Sequence, residues 1–192
     1  MSDSIKLIVG LGNPGQAYEK TRHNVGACIV KVLADHYDVN LRTESRFFGQ
    51  FGVIKLPSFE CMLLLPNTFM NLSGQSVQAC ASYYKINANS ILVSHDDLDF
   101  SPGVARSKHG GGCGGQRGLK DIIEKIGSKD FYRLRFGIGH PGHKDLVSDY
   151  VLSRPSVCEK ERIAESVEKT LGIIIELISC GNFTGSELMK KL

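Results

Sequence analysis

Ile5-Lys6-Leu7-Ile8-Val9-Gly10-Leu11-Gly12-Asn13-Pro14-Gly15 is the stretch from which the fold is read. A nearly continuous apolar run marks a strand covered on both faces, and its glycine ending marks a functional sheet edge. Ile91 to Ser94 and Leu134 to Gly139 have the same character, so these three segments are expected at the sheet centre. Phe47 to Leu56 and Cys61 to Leu65, joined across Pro57 and Ser58, read as a hairpin, which makes the sheet mixed. Helical spacing lies between the strands. Val25, Ile29, Val32 and Leu33 share a face after Thr21, a candidate N-cap, and Val77, Ala81 and Tyr84 do so after Leu72. A further helix spans Leu119 to Ile126, and Ile163, Val167, Leu171, Ile174 and Ile178 mark a long one ending at Gly181. The expected fold is one α/β domain over residues 1–192, with a mixed, mostly parallel central sheet and helices on both faces.

Composition narrows the class. With 192 residues, 42% hydrophobic and 22% charged, the chain is neither disordered, collagen-like nor a coiled coil. The densest apolar stretch, Leu171 to Ile178, is broken by Gly172 and Glu176 and falls far short of the ~20 residues of a membrane span. Met1 to Lys6 is polar and offers no signal-peptide core, so a cytoplasmic location without membrane partners is expected. The six cysteines, at 28, 61, 80, 113, 158 and 180, are too widely spaced for a zinc knuckle or redox pair and read as reduced thiols. The net charge is only +3, yet Ser101 to Asp145 holds nine Lys/Arg against four Asp/Glu, a local excess that suits an anionic partner or a solvated mixed surface.

Five segments carry candidate chemistry. Gly10 to Gly15 has the spacing of a dinucleotide fingerprint, but Pro14 has no N–H to offer a pyrophosphate and the residues after Gly15 do not open an apolar-faced helix. A tight turn explains the glycines and leaves Asn13, an amide at a strand end, unexplained. His23, in Thr21-Arg22-His23-Asn24, sits at a helix start, where the backbone dipole favours the neutral imidazole that a general base requires; taken alone it reads as readily as a surface histidine. His95-Asp96-Asp97-Leu98-Asp99 brings carboxylates to the same sheet edge, where one could orient His23. Metal binding by His95, Asp96, Asp97 and Asp99, or simple turn capping by Asp97 and Asp99, are the other readings. Asn71, before the second helix, reads either as an N-cap or as a site amide.

The fifth segment, Gly110 to Gly118, leads into a helix with Lys108, Arg117 and Lys120 close by. It lacks the ending of a nucleotide P-loop and suits a mobile loop closing over a long anionic substrate. Cys113 within it is poorly preorganised as a nucleophile, and no serine stands in a nucleophile elbow. A base, an orienting acid, several amides and no persuasive nucleophile point to hydrolysis by activated water.

Taken together, Val9 to Gly15, Tyr18, Thr21 to Gly26, Phe69-Met70-Asn71-Leu72-Ser73-Gly74, His95 to Asp99, Gly118-Leu119-Lys120-Asp121 and Arg133 to Gly142 closely resemble the bacterial peptidyl-tRNA hydrolase family over nearly the whole chain. The resemblance implies a monomeric α/β enzyme that needs no cofactor and cleaves the ester between a peptide and the 3′ ribose of tRNA. It implies His23 as general base, Asp96 as the acid that holds it, and Asn13 and Asn71 as amides that recognise the peptide end and position water or oxyanion. Tyr18, Phe69 and Met70 would line the site around adenosine and peptide, and Lys108 and Arg135 would clamp the 5′-phosphate of tRNA. Where family members usually read GGHGGHNG, this chain reads Gly111-Gly112-Cys113-Gly114-Gly115-Gln116-Arg117-Gly118. Arg117 stands where the family's asparagine contacts substrate and orients water, and it cannot accept a hydrogen bond as an amide can. Retained activity with altered affinity or rate is expected; a non-catalytic RNA-binding module and a nucleotide-dependent oxidoreductase are the competing readings.

Overall fold

The computed structural model describes residues 4–192. Its centre is strand β1 (Leu7–Gly10), flanked in parallel by β4 (Phe59–Pro66) on one side and β5 (Ile91–Asp97) on the other. Next to β5 runs β7 (Tyr132–Gly137), also parallel, and β6 (Ala105–His109) closes that edge antiparallel to β7. On the other edge β3 (Gly49–Leu56) pairs antiparallel with β4, and β2 (Arg42–Glu44) with β3. The seven-stranded order is therefore β2-β3-β4-β1-β5-β7-β6. The hairpin register, Leu56 opposite Phe59, places Pro57 and Ser58 in the turn, as the sequence predicts.

Alternation along β1 explains why its sequence is apolar throughout. Ile8 faces a core built with α1 (Val25–His36), α5 (Val157–Ser179) and α6 (Gly185–Lys191), including Ile29, Leu33, Ile174 and Leu188. Leu7 and Val9 face the opposite core, under α2 (Ser73–Tyr83) and α3 (Arg117–Ile126), with Val77, Leu119, Ile122 and Phe131. A strand buried on both faces has no polar side to display. The short α4 (Val147–Leu152) adds Val151 to the first core. Among the described residues no helix is long and apolar enough to cross a membrane, and all six cysteine thiols are free.

Several boundaries differ from those expected. Thr21 does not cap α1: its hydroxyl donates to the Tyr18 carbonyl at 2.7 Å, a 3₁₀ turn (Arg22–Asn24) follows, and the α-helix begins at Val25. Asn71 is not the N-cap of α2, since it lies inside the 3₁₀ turn Met70–Leu72. The capping acceptor comes instead from α3, where the Asp121 carboxylate takes the Gly74 N–H at 2.7 Å. The long helix starts at Val157, earlier than its apolar stripe, because Ser156 and Glu159 form a reciprocal capping box. It ends as expected beside Gly181, which adopts a left-handed φ of 66°. Strand β7 runs two residues ahead of the predicted segment, and β2, β6, α4 and α6 were not predicted.

Two close approaches set the site. A Cβ at Gly26 would lie 2.4 Å from the Ser94 carbonyl oxygen, so only glycine lets the start of α1 rest on the end of β5. A Cβ at Gly118 would lie 2.7 Å from Met70 Sδ, so the first turn of α3 likewise closes on the loop before α2.

Candidate active site

These approaches bring His23 to Asp96. His23 Nδ1 lies 2.8 Å from Asp96 Oδ2, and the two side chains are 12% and 4% exposed. The pair lines a cavity of about 940 Å³ bounded by the ends of β1 and β5, the segments before α2 and α3, and α4. With Nδ1 committed to the carboxylate, Nε2 is the nitrogen left to exchange a proton. His23 is held from behind through its neighbour Arg22, which donates to Ser153 Oγ at 2.6 Å, the Arg154 carbonyl at 2.9 Å and Glu159 at 2.8 Å, and lies over the Tyr150 ring.

Both asparagines reach the cavity. Asn13 Oδ1 accepts from the Met70 N–H at 2.7 Å, which leaves its Nδ2 a donor at the wall with no partner among the described residues. Asn71 is exposed beside it, its amide uncommitted to helix capping. Tyr18 and Phe69 stand edge to face, 6.4 Å between centroids, and Phe69 is 55% exposed, so a flat apolar surface meets the solvent at the mouth. Met70, by contrast, is buried and serves as floor.

The acidic run disperses. Asp96 goes to His23, Asp97 pairs with Arg135 Nε at 2.7 Å, and Asp99 is exposed, 3.6 Å from Arg135 Nη2. His95 Nδ1 turns to the Asp96 carbonyl at 2.7 Å, and burial pushes its pKa down, which keeps that imidazole neutral. Among the described residues no three metal-binding side chains converge, so these residues do not form the metal centre that the sequence left open. Gly12 to Gly15 likewise leads into a turn rather than a helix, so the phosphate-binding helix N-terminus of a dinucleotide site is not built.

The basic residues divide by partner. Arg135 is paired with Asp97 and approached by Asp99, whereas Lys108 and Arg117 have no carboxylate partner among the described residues. Arg133, opposite Lys108 in the β6–β7 ladder, is 3% exposed, lies over Phe131, and donates to the Gly111 and Gly112 carbonyls. Burial pushes its pKa down. It thus ties one end of the glycine loop that the sequence reading expected to be mobile.

A family model described as peptidyl-tRNA hydrolase matches residues 7–191. The chain belongs to the peptidyl-tRNA hydrolase family. It is 50% identical over 182 residues to the peptidyl-tRNA hydrolase of Vibrio cholerae, covering 94% of this chain and 93% of that protein. To that of Glaesserella parasuis it is 54% identical over 166 residues, 86% of each chain. The crystal structure of peptidyl-tRNA hydrolase from Acinetobacter baumannii superposes with a TM-score of 0.92 at 43% identity, over all of this chain and 95% of that one. The α/β architecture predicted from the sequence is the family's.

Within this peptidyl-tRNA hydrolase fold, sequence reasoning passed over two further residues. Asn24, to which its motif alone gives no role, accepts from the Asn13 N–H at 2.8 Å and donates to the Asn13 carbonyl at 2.9 Å through its side chain. Arg133 was overlooked beside Arg135. An asparagine spaced eleven residues from another gives no periodic signal, and the two arginines share one strand face, so neither role could be read from spacing.

Proposed function

We propose that this chain hydrolyses the ester joining a peptide, or an N-blocked aminoacyl group, to the 3′ ribose of tRNA, and so recycles tRNA released from stalled translation. The observation that carries the reading is the buried His23–Asp96 pair on a large cavity that is also lined by Lys108 and Arg117, which have no carboxylate partner among the described residues. Asp96 accepts the Nδ1–H bond and fixes the tautomer; His23 Nε2 takes a proton from water as the water oxygen bonds to the ester carbonyl carbon. The Nδ2 of Asn13 and the amide of Asn71 are placed to hold the water or the developing oxyanion. As the intermediate collapses, the bond to the ribose oxygen breaks and His23 returns the proton to it, releasing a tRNA hydroxyl and the peptide's carboxylic acid, which then loses its remaining proton to solvent.

Tyr18, Phe69 and Met70 offer apolar surface to the terminal adenosine and peptide, and Arg117, Lys108 and Arg135 face the nucleic acid, with Lys108 the fuller charge. The chain needs no cofactor for this chemistry and acts as a monomer in the cytoplasm, where its substrate arises. Incubation with N-blocked and free aminoacyl-tRNA tests the reading: selective release from the blocked form supports it. Salt-sensitive tRNA binding with no ester cleavage would replace it by a non-catalytic RNA-binding module.

A further inference from the structure

Gln116 is the N-cap of α3, and both ends of its amide are committed. Oε1 accepts from the Leu119 N–H at 2.8 Å; Nε2 donates to Asp96 Oδ1 at 3.1 Å, with Met70 Sδ 3.2 Å away. The partners themselves fix the amide's orientation, because a backbone N–H only donates and a carboxylate only accepts. Asp96 is 4% exposed and has no lysine or arginine partner among the described residues. Its two oxygens are each met by one donor, His23 on Oδ2 and Gln116 on Oδ1. A buried carboxylate oxygen without a donor is costly, and a donor on one oxygen also weakens the pull of the other on a neighbouring proton.

We propose that Gln116 is a positioning residue for the hydrolysis: it sets the rotation of Asp96 toward His23, tempers the carboxylate's charge so that the imidazole stays neutral to lower pH, and ties this setting to the N-terminus of α3. The proposal rests on the functional reading above. Gln116 stands where the family pattern usually has histidine. A glutamine keeps the N–H donor and, unlike an imidazole, has no proton to lose, so the donor side of the link does not titrate.

The other charges facing the pair do not substitute for it. Asp97 and Asp99 are drawn to Arg135, and His95 is neutral by burial. Lys108, Arg117, Arg133 and Lys144 also line the cavity, and none of them pairs with Asp96 among the described residues. Cys113, His140 and Tyr18 complete the titratable walls and are the same in every variant compared.

Gln116→Ser separates positioning from folding, since serine preserves an N-cap acceptor but is too short to reach Asp96. The measurements are kcat/KM against pH with N-blocked aminoacyl-tRNA and the NMR titration of the His23 imidazole in substrate-free protein. Gln116→Ser is expected to lower kcat on the order of tenfold and to move the acid limb up by about half a pH unit or more. The His23 titration moves in the same direction, and Gln116→His, which restores an N–H donor, reverses both. An acid limb and a His23 titration that stay at their wild-type positions in Gln116→Ser overturn the proposal, whatever the rate. The titration needs no turnover, so a wild-type protein that fails to cleave the ester sinks the functional reading while the Gln116 proposal is still decided.

Discussion

Asn24 closes both backbone groups of Asn13 with one side chain, accepting from its N–H at 2.8 Å and donating to its carbonyl at 2.9 Å. Asn24 leads into α1 immediately after His23, so the amide at the end of β1 and the imidazole before α1 are held by one short segment. Such a clamp fixes the two side chains relative to each other, and in the proposed reaction small displacements there are costly to rate.

Asn24→Ala leaves a part-buried N–H and carbonyl without their side-chain partner and is expected to cost about 1 kcal/mol of stability. It also lowers kcat/KM on the order of tenfold through Asn13. Thermal unfolding and steady-state assays check both; full activity in the variant would show that Asn13 needs no clamp.

Glu159 anchors the same segment through Arg22. Burial alone would raise its carboxyl, but hydrogen bonds from Ser156 and the Arg22 guanidinium outweigh that and hold it below its ordinary value of 4.5. A carboxyl lowered in the folded state adds stability that is whole above its unfolded value and fades as pH falls through the lowered one. The wild type should therefore lose Tm more steeply than Glu159→Gln as pH is lowered from 5 to about 3. Parallel Tm curves for the two proteins would rule out this contribution.

Lys108 and Arg135 should differ toward tRNA, because Asp97 accompanies only Arg135. Lys108→Ala is expected to weaken binding and to reduce the slope of log Kd against log salt by about 1, with kcat largely unchanged. Arg135→Ala reduces the slope less, since it releases a carboxylate as it removes a cation. Equal slopes for the two variants would contradict the charge distribution described here.

The central strands were legible because burial on both faces writes an apolar run into the sequence, as in Leu7 to Val9 and Ile91 to Val93. Strand β6, Ala-Arg-Ser-Lys-His, is held by its backbone ladder to β7 and has no apolar face to betray it. His23, Asp96, Asn13 and Asn71 were found as residues with chemistry at strand and helix ends, and the structure gathers all four around one cavity. What spacing could not convey is who holds them. Gln116 meets Asp96 across twenty residues of sequence, and Asn24, Arg133 and Asp121 act on backbone groups of other segments, contacts that exist only after the sheet and helices have packed.

The most direct measurement is kcat of His23→Ala on N-blocked aminoacyl-tRNA beside its Kd for the same tRNA. The account predicts a kcat lower by a factor on the order of 10² or more with Kd nearly unchanged. A loss of only a few-fold would contradict the assignment of His23 as the group that takes the proton from water.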